Sequence, residues 1–263
     1  MFGAREILSH LRNYTMKTPT LTSTTFKVIA HRGASGYAPE NTLIAFQKGL
    51  EFGADMLELD IQLSREGEVV VIHDHTLDRT TNGTGYVKDY SVKELKQFDA
   101  AKRFEAYRGE TIPLLQEVFD LVKNRATLAI EIKNCPIIYP EIEQKLVQLI
   151  EKNAFVEHIL VISFYHPSLK EIKRLNPDIP TGILYVGALL EPWAAAETVG
   201  ANALHPHYEY TTAAMVVEAH QRNYLVHPWT INRATDMEKW VSCGVDGIAT
   251  DYPDTLAGII RNR

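Results

Sequence analysis

The sequence predicts an α/β fold, a (β/α)8 barrel of parallel strands that carries a small insertion. Three observations lead to this prediction. Short apolar runs alternate with helical patterns from residue 27 onward, eight such strands follow this alternation, and the chain has 263 residues, a length at which α/β barrels commonly form one domain. An open doubly wound sheet would show the same local alternation. However, no G-x-G-x-x-G follows the first strand, which removes the main support for the dinucleotide-binding version of that fold.

The barrel strands are short runs rich in β-branched and other apolar residues, each followed by polar or turn-forming residues. They are predicted at residues 27–31, 56–63, 127–133, 159–164, 181–186, 202–206, 225–230 and 247–250. Between most of them, apolar residues recur at helical spacing. The helices are predicted at residues 41–52, 114–124, 138–153, 166–175, 191–199, 211–221 and 235–242.

A further strand, at residues 68–73, breaks the alternation. It follows the strand at 56–63 after too few residues for a parallel crossover, so the two strands should form an antiparallel hairpin. A two-residue turn would pair Asp60 with His73, and a four-residue loop would pair Glu58 with His73. In either register these three side chains share one face of the hairpin, which we expect to be the barrel interior.

Residues 74–110 show little apolar periodicity, apart from a short helix predicted near 91–98. We interpret them as an insertion at the catalytic end of the barrel, which favours a lid or a binding loop. Residues 1–25 form an N-terminal extension in this interpretation, with a short amphipathic helix over 2–14 and a polar linker after it. The barrel domain is expected to span residues 26–263.

The composition argues against several classes of protein. The formal net charge is −6, the pI is about 5.9 and no basic stripe is present, so nucleic acid is not an expected partner. No apolar run reaches the roughly 18 residues of a membrane span, so stable membrane insertion is not expected. Cys135 and Cys243 show no C-x-x-C spacing and fit a reducing compartment, so the expected location is the cytoplasm.

Three carboxylates are predicted to meet inside the barrel. Glu58 and Asp60 alternate on the inward face of the second barrel strand, and Glu131 lies on the inward face of the third. Burying three unpaired anions together would be very costly, so they need counter-charge. A hard divalent cation, Mg²⁺ or Ca²⁺, supplies it through oxygen ligands, and zinc is less suitable because the histidines are free for other roles.

The other polar residues at the strand ends suit a phosphate. The first strand ends in His31 and Arg32, and the guanidinium fork of an arginine binds two phosphate oxygens. Lys133 would place a compact positive charge beside the metal, and His31 and His73 are natural proton carriers near neutral pH. Glu40 is a further acid that could brace Arg32. These groups indicate phosphoester cleavage, although each of them taken singly would also fit an ion pair within a barrel.

Four more residues keep two interpretations each, and a fifth, Asn41, keeps one. Phe164 and Trp229, each at a strand end, would either contact a small apolar part of a substrate or pack in the core. His205 and His227 would either line the site or lie in the core as hydrogen-bonded histidines. Asn41 stands where a helix N-cap is expected, and capping would account for it fully.

Seven blocks of sequence between residues 27 and 258 show the pattern of a known family. The blocks are IAHRGASGYAPENTLIAF (29–46), GADMLELDIQL (53–63), VVIHDHTLDRTTNGTG (70–85), IPLLQEVFD (112–120), AIEIK (129–133), WTIN (229–232) and GVDGIATDYPD (244–254). They resemble the glycerophosphodiester phosphodiesterase family. The resemblance implies a TIM barrel of the phosphatidylinositol-phospholipase-C-like type with a small inserted domain between its second and third strands, so residues 74–110 are expected to be that insertion.

The resemblance also implies which residues are functional. The matching positions are His31, Arg32, Glu58, Asp60, His73, Glu131 and Lys133, and none of them departs from the family pattern. The three carboxylates among them are implied to bind one divalent cation. The chain departs from the family pattern in its N-terminal extension, residues 1–25.

The implied activity is metal-dependent hydrolysis of deacylated phospholipids, such as glycerophosphocholine or glycerophosphoethanolamine, to sn-glycerol 3-phosphate and an alcohol. We expect a small-molecule glycerophosphodiester as the partner, His31 and His73 as general acid and base, and either water or the glycerol hydroxyl as nucleophile. One alternative is a lysophospholipase-D-like activity on acylated substrates, which the polar insertion disfavours. Another is a non-catalytic metabolite-binding barrel, which the retention of every functional position disfavours.

Overall fold

The structure, a computed structural model, describes residues 25–262, and within this range the chain forms nine strands and nine α-helices. The strands are β1 (Lys27–Ala30), β2 (Met56–Leu63), β3 (Val69–Val71), β4 (Thr127–Ile132), β5 (Ile159–Ser163), β6 (Thr181–Tyr185), β7 (Ala203–Pro206), β8 (Leu225–Val226) and β9 (Gly247–Thr250). The helices are α1 (Leu43–Glu51), α2 (Val92–Leu95), α3 (Leu115–Val122), α4 (Ile142–Lys152), α5 (His166–Leu175), α6 (Pro192–Val199), α7 (Ala213–Gln221), α8 (Ala234–Ser242) and α9 (Pro253–Arg261). None of the helices in this range has the length and apolarity that crossing a membrane requires. The predicted helix over 2–14 lies outside the described residues.

Eight of these strands run parallel and form the barrel. Their order is β8-β7-β6-β5-β4-β2-β1-β9, and neighbours in this series are hydrogen-bonded. The two ends of the series meet through backbone hydrogen bonds from Asp246 to the Val226 carbonyl and from Ala249 to the Pro228 carbonyl, at 3.0 and 3.1 Å. Helices alternate with these strands along the chain, so the predicted (β/α)8 barrel is confirmed.

Alternate side chains of each strand enter two different cores. Outward residues such as Leu57 and Leu59 belong to the large core that the strands share with the helices. Inward apolar residues form a smaller cluster inside the barrel, which consists of Ile29, Met56, Ala129, Leu160, Ile162, Leu184 and Ala249. Since side chains alternate along a strand, Met56 and Ala129 share their faces with Glu58 and Glu131 further along. The polar side chains of the site therefore lie next to this apolar cluster, further along the same strands.

Several strands end earlier than the sequence predicts. The largest difference is at 225–230, where only Leu225 and Val226 pair as a strand, and Pro228 has no N–H to continue the ladder. Strands β1, β4 and β5 each end one residue earlier than predicted, which leaves His31, Lys133 and Phe164 just beyond them. The chain leaves the strand pairing at this C-terminal end of the barrel.

Helix α9 (Pro253–Arg261) is absent from the sequence prediction. Its signals were a proline in the first turn and apolar residues at helical spacing, including the buried Leu256 and Ala257.

The predicted antiparallel hairpin of β2 and β3 forms, but its register differs from both predicted ones. A three-residue loop, 65–67, connects the strands, and the backbone N–H of Ser64 donates to the Glu68 carbonyl at 2.9 Å. Gly67 has φ +82°, a value that glycine adopts without strain, and its N–H donates to the Ser64 carbonyl at 2.9 Å. The loop is intermediate in length between the two predicted ones.

This register places Gln62 opposite Val70 and moves every side chain of β3 to the other face. Val70 and Ile72 therefore share the face of Asp60, and the prediction that His73 lies on that face is wrong. His73 reaches the site from the loop that follows β3.

The insertion packs on the hairpin around its own apolar cluster. The cluster contains Val70, Ile72, Leu77, Val87, Leu95, Ala100 and Ile112. The short helix predicted near 91–98 is α2, which begins with a capping box formed by Ser91 and Glu94. Two residues of the hairpin thus belong to the core of the inserted segment, which ties its position to the barrel.

Candidate active site

Three carboxylates converge at the C-terminal end of the barrel strands. Glu58 and Asp60 project from β2, and Glu131 projects from the neighbouring strand β4, where it is the register partner of Asp60. One carboxylate oxygen from each lies within 4.8 Å of the others, and all three residues are buried. The structure brings the three expected ligands together, and their role in binding a metal stays a prediction.

Asp60 is held by Asn41 and keeps one oxygen without a donor. The Asn41 amide donates to Asp60 Oδ2 at 2.8 Å and accepts from the Asp60 backbone N–H at 3.2 Å. The expected N-cap role of Asn41 is wrong, because Thr42 caps α1 by accepting from the Ala45 N–H. Asp60 Oδ1 is buried and accepts no hydrogen bond from any of residues 25–262. Such an oxygen is costly to leave unsatisfied, and a cation beside it would remove this cost.

Lys133 links the acidic cluster to His73. Its Nζ donates to Glu131 Oε1 at 2.7 Å and lies 3.7 Å from Asp60 Oδ1, beyond hydrogen-bond distance. The same Nζ lies 3.1 Å from His73 Nε2, and His73 Nδ1 lies 2.6 Å from Asp74 Oδ1. Because an ammonium only donates, we infer that His73 Nε2 accepts and that Nδ1 carries the proton that faces Asp74.

Burial and mutual repulsion perturb the three carboxyl groups. Burial raises the pKa of Glu58 well above its usual range, and the charge of Asp60 adds to this. Burial also raises the pKa of Glu131 to about 7, against the opposing effect of Lys133. Burial disfavours the ionised form of Asp60 as well, but Arg32 and Lys133 hold the pKa of Asp60 well below its ordinary value. A divalent cation would favour the ionised form of all three.

The donor set fits a hard cation. Within residues 25–262, the cluster offers carboxylate oxygens only, and no histidine or cysteine belongs to it. Oxygen ligands of this kind suit Mg²⁺ or Ca²⁺ better than zinc, which prefers nitrogen and sulfur. The cluster can therefore hold a divalent cation.

His31 is anchored by Asp251, which follows β9. His31 Nδ1 lies 2.7 Å from Asp251 Oδ1, and Asp251 Oδ2 accepts from the Asn232 amide at 2.7 Å. We infer that Nδ1 of a neutral His31 carries the proton, which leaves Nε2 as an acceptor. Burial lowers the pKa of His31, and the hydrogen bond to Asp251 partly offsets this effect.

A glycine turn after β1 allows Arg32 to approach the acidic cluster. Gly33 has φ +80°, and a Cβ at this position would lie 2.6 Å from the backbone of Ala45 in α1. Only glycine permits this approach. The backbone N–H of Arg32 then donates to Glu58 Oε2 at 2.8 Å.

The guanidinium of Arg32 is braced by acidic side chains. Its Nη1 donates to Glu40 Oε1 at 2.8 Å, which confirms that Glu40 braces Arg32. Glu40 also accepts two hydrogen bonds from Arg79, at 2.5 and 2.8 Å. Arg32 Nε is buried, lies 3.5 Å from Asp60 Oδ2 and has no hydrogen-bond partner among residues 25–262.

A cavity of about 110 Å³ lies beside these groups. Its polar wall is formed by His31, Arg32, Glu58, His73 and Glu131, and its other wall by Ile29, Ala129, Ile162, Phe164, Leu184, His205, Trp229 and Ala249. The Phe164 and Trp229 rings meet edge to face, with centroids 5.5 Å apart. Phe164 is 43% exposed and lines the cavity, so plain core packing does not account for it.

His205 lines this cavity, whereas His227 is buried next to it with ring centroids 4.9 Å apart. Neither His205 Nε2 nor either ring nitrogen of His227 has a hydrogen-bond partner among the described residues. The interpretation of His227 as a hydrogen-bonded core histidine is therefore wrong, although it is a core residue. Burial lowers the pKa of His205 well below its usual value and that of His227 to about 4, so both rings are neutral near pH 7.

Gln62 is a residue that the sequence analysis missed. Its side-chain amide donates to the carbonyls of Ile72, His73 and Asp74 at 3.0, 2.9 and 2.7 Å. Gln62 is fully buried on the inward face of β2, two residues beyond Asp60. The available signal was a polar residue that continues the inward alternation of that strand. Its hydrogen bonds determine where the loop that bears His73 lies.

Asp74 and Asp251 were also missed as partners of the two histidines. The signals were an acid directly after His73 and an acid directly after the last strand. The first is a local pattern, whereas the contact of Asp251 with His31 joins opposite ends of the chain.

Comparison with known proteins identifies the family. The model of the glycerophosphoryl diester phosphodiesterase family matches residues 31–255. The chain belongs to this family. The resemblance inferred from the sequence motifs is thereby confirmed.

Relatives and solved structures agree with this membership. A glycerophosphodiester phosphodiesterase of Caldanaerobacter subterraneus is 45% identical over 236 residues, which cover 89% of this chain and 97% of the relative. Another from Bacillus altitudinis is 41% identical over 238 residues, with 89% and 97% covered. An Oleispira antarctica phosphodiesterase, solved in complex with the product sn-glycerol-3-phosphate, superposes with a TM-score of 0.83 at 31% identity and covers 89% of this chain and 96% of that one. The predicted enzyme class, phosphoric diester hydrolase, is confirmed.

Proposed function

We propose that the chain is a metal-dependent phosphodiesterase that hydrolyses glycerophosphodiesters to sn-glycerol 3-phosphate and an alcohol. The observation that carries this proposal is the buried cluster of Glu58, Asp60 and Glu131 beside Arg32 and Lys133. Two relatives with 45% and 41% identity are named for the same activity. The remaining functional positions of the family are retained here as well.

A divalent cation, Mg²⁺ or Ca²⁺, held by Glu58, Asp60 and Glu131 would neutralise phosphate charge and polarise the phosphoester. Arg32 and Lys133 supply fixed positive charge for the non-bridging phosphate oxygens. The largely apolar wall of the 110 Å³ cavity, with Phe164 and Trp229, suits the carbon chain of glycerol.

His31 and His73 are proposed as the general acid–base pair. Each ring has a carboxylate at Nδ1, so each presents Nε2 to the site. One histidine takes the proton of the nucleophile as its oxygen bonds to phosphorus, and the other gives a proton to the oxygen of the breaking P–O bond. The nucleophile is water or a glycerol hydroxyl, and only the second route passes through a cyclic phosphate.

The test of the proposed activity is the release of glycerol 3-phosphate from a panel of glycerophosphodiesters, with and without EDTA. We expect release that chelation abolishes and added Mg²⁺ or Ca²⁺ restores. Phosphorus NMR during turnover would show whether a cyclic phosphate forms. Full activity after exhaustive chelation would contradict the metal-dependent mechanism.

The roles of the histidines can be separated by the leaving group. His31→Ala and His73→Ala should each lower the rate on glycerophosphocholine by roughly 10²- to 10⁴-fold. A nitrophenyl ester needs no general acid, so it should rescue the variant that lacks the acid and leave the other variant impaired. Near-native rates in both variants, or equal rescue of both, would show that the assignment is wrong.

One observation favours a second activity, a lysophospholipase-D-like cleavage of acylated substrates. The loop after β6 exposes Val186, Leu189 and Leu190, with exposed fractions of 57%, 44% and 95%. This loop lies at the same end of the barrel as Phe164, where an acyl chain would leave the site. If this activity is present, Leu190→Ser should slow the cleavage of lysophosphatidylcholine but not of glycerophosphocholine. Val217→Ser, a change at a 55% exposed valine of α7, is the matched control.

The cytoplasm is the proposed location. Cys135 is exposed and Cys243 is partly exposed, and both are free thiols. Free thiols persist in reducing compartments. Fractionation of the source cells would test this placement.

A further inference from the structure

We infer that the insertion and the turn after β1 form a subsite for an anionic head group, with Arg103 as the residue that selects it. This inference rests on the proposed function and adds the class of head group.

A second cavity, of about 290 Å³, lies next to the smaller one. His31 and Arg32 line both cavities, so a phosphate bound at Arg32 would direct one ester arm into each. The smaller cavity, of about 110 Å³, has one polar and one largely apolar wall and room for only a small group such as glycerol. The larger cavity is therefore the place for the head group.

The acidic side chains in the wall of the larger cavity are already paired. Glu40 accepts hydrogen bonds from Arg32 and Arg79, and Asp251 pairs with His31. The oxygens of these carboxylates are therefore already occupied by hydrogen-bond donors of the site. They offer little to a cationic head group.

Arg103 is the charged residue of this wall whose side chain has no partner among residues 25–262. Its guanidinium forms no hydrogen bond or ion pair with any of residues 25–262, whereas residues on either side of it are held by hydrogen bonds. The turn that carries it is closed by a hydrogen bond from Phe104 N–H to the Ala101 carbonyl at 2.8 Å, and Ala101 N–H donates to Asp99 Oδ1 at 2.7 Å. A guanidinium without a protein partner that lines a cavity can bind a carboxylate or a phosphate through two parallel hydrogen bonds.

Two matched pairs of substrates test this inference. Glycerophosphoserine differs from glycerophosphoethanolamine by one carboxylate, and glycerophosphoinositol 4-phosphate differs from glycerophosphoinositol by one phosphate. For each pair, the measured quantity is the ratio of kcat/KM for the charged member to that for its partner. We expect Arg103→Gln to lower this ratio by roughly 3- to 10-fold, Arg103→Glu to lower it further, and Arg103→Lys to keep part of it.

Arg108→Gln is the control. Arg108 carries the same charge in the same inserted segment, pairs with Glu105 at 3.3 Å and lines neither cavity. Because this variant loses the same long-range attraction, it should keep the wild-type ratio if Arg103 acts by contact. Equal losses in the two variants would overturn the inference in favour of a general effect of charge.

The other outcomes are also decisive. A change confined to one pair supports the inference and identifies carboxylate or phosphate as the ligand. Hydrolysis of all four substrates with the same ratios in Arg103→Gln and wild type overturns the subsite while leaving the proposed function in place. Failure to hydrolyse any glycerophosphodiester overturns the proposed function, and the subsite with it. Since Arg103 is exposed, unchanged thermal unfolding of the variants should exclude a folding defect.

Discussion

At the scale of single residues, Asp251 determines which nitrogen of His31 faces the substrate. Its carboxylate binds Nδ1 at 2.7 Å, which leaves Nε2 for proton transfer. Asp251→Asn removes the charge and allows the ring to change tautomer or rotate. We expect kcat to fall by up to roughly 10²-fold with a much smaller change in KM, which steady-state kinetics would measure.

The control for this prediction is Asp254→Asn. Asp254 lies three residues further along in α9, bonds the Tyr37 hydroxyl at 2.9 Å and lines neither cavity. This variant should keep the wild-type kcat. A wild-type kcat in Asp251→Asn as well would mean that His31 does not need this anchor.

The acidic cluster gives a second prediction at this scale. Glu58→Gln removes one of three carboxylates from the expected metal site, so metal affinity and activity should fall together, by roughly 10- to 100-fold. Calorimetric titration with Mg²⁺ and with Ca²⁺ measures the affinity independently of turnover. Glu143→Gln is a matched control, because Glu143 is similarly buried but bonds Asn134 and Ser168 and does not belong to the carboxylate cluster. Unchanged metal affinity in Glu58→Gln would show that the cluster is not the metal site.

At the scale of elements, the hairpin of β2 and β3 positions the loop that bears His73. The three-residue turn sets the register, and Gln62 then holds the carbonyls of residues 72–74. Without the Gln62 amide these carbonyls lose their donor inside the protein. We therefore expect Gln62→Leu to lower the free energy of unfolding by roughly 1–3 kcal/mol in urea titrations, and to lower kcat because His73 is no longer fixed.

Gln47→Leu serves as the comparison for that variant. Gln47 lies on the surface of α1 and bonds Glu51 at 2.8 Å, so this change should alter stability by less than about 0.5 kcal/mol. If Gln62→Leu were as stable and active as wild type, the loop would have to be held by other contacts.

At the scale of the whole molecule, two neutral histidines buried in the barrel make stability depend on pH. In the folded chain the pKa of His227 is about 4, whereas an unfolded histidine has a pKa of about 6.5. Between these values the unfolded chain binds a proton that the folded chain does not. The free energy of unfolding should therefore fall as the pH falls from about 6.5 towards 4, with no contribution from His227 above this window.

At about 1.4 kcal/mol for each pKa unit between the two values, His227 alone should account for a loss that approaches about 3.5 kcal/mol once the pH is below both values. Urea unfolding at a series of pH values measures this dependence. The slope should become shallower in His227→Gln, whatever the absolute stability of that variant. An unaltered slope in His227→Gln would mean that His227 is not the group responsible.

The sequence by itself determined the barrel and the inward-facing residues of its strands. Side chains alternate strictly along a strand, so the sequence around Glu58, Asp60 and Glu131 already indicates which residues share the inward face of the strand. The βα alternation likewise implies parallel strands whose carboxyl ends meet at one edge. Both inferences use short-range periodicity, which does not depend on the rest of the chain.

Only the tertiary structure decided which residues meet across long separations. The bond between Asp251 and His31 joins residues 220 positions apart, and that between Asn41 and Asp60 joins residues 19 apart. The register of the hairpin also stayed open, because a difference of one residue in its loop reverses the faces of β3 while leaving the apolar pattern plausible. Local periodicity fixes the direction of a side chain relative to its own strand, whereas its partner depends on how separate elements pack.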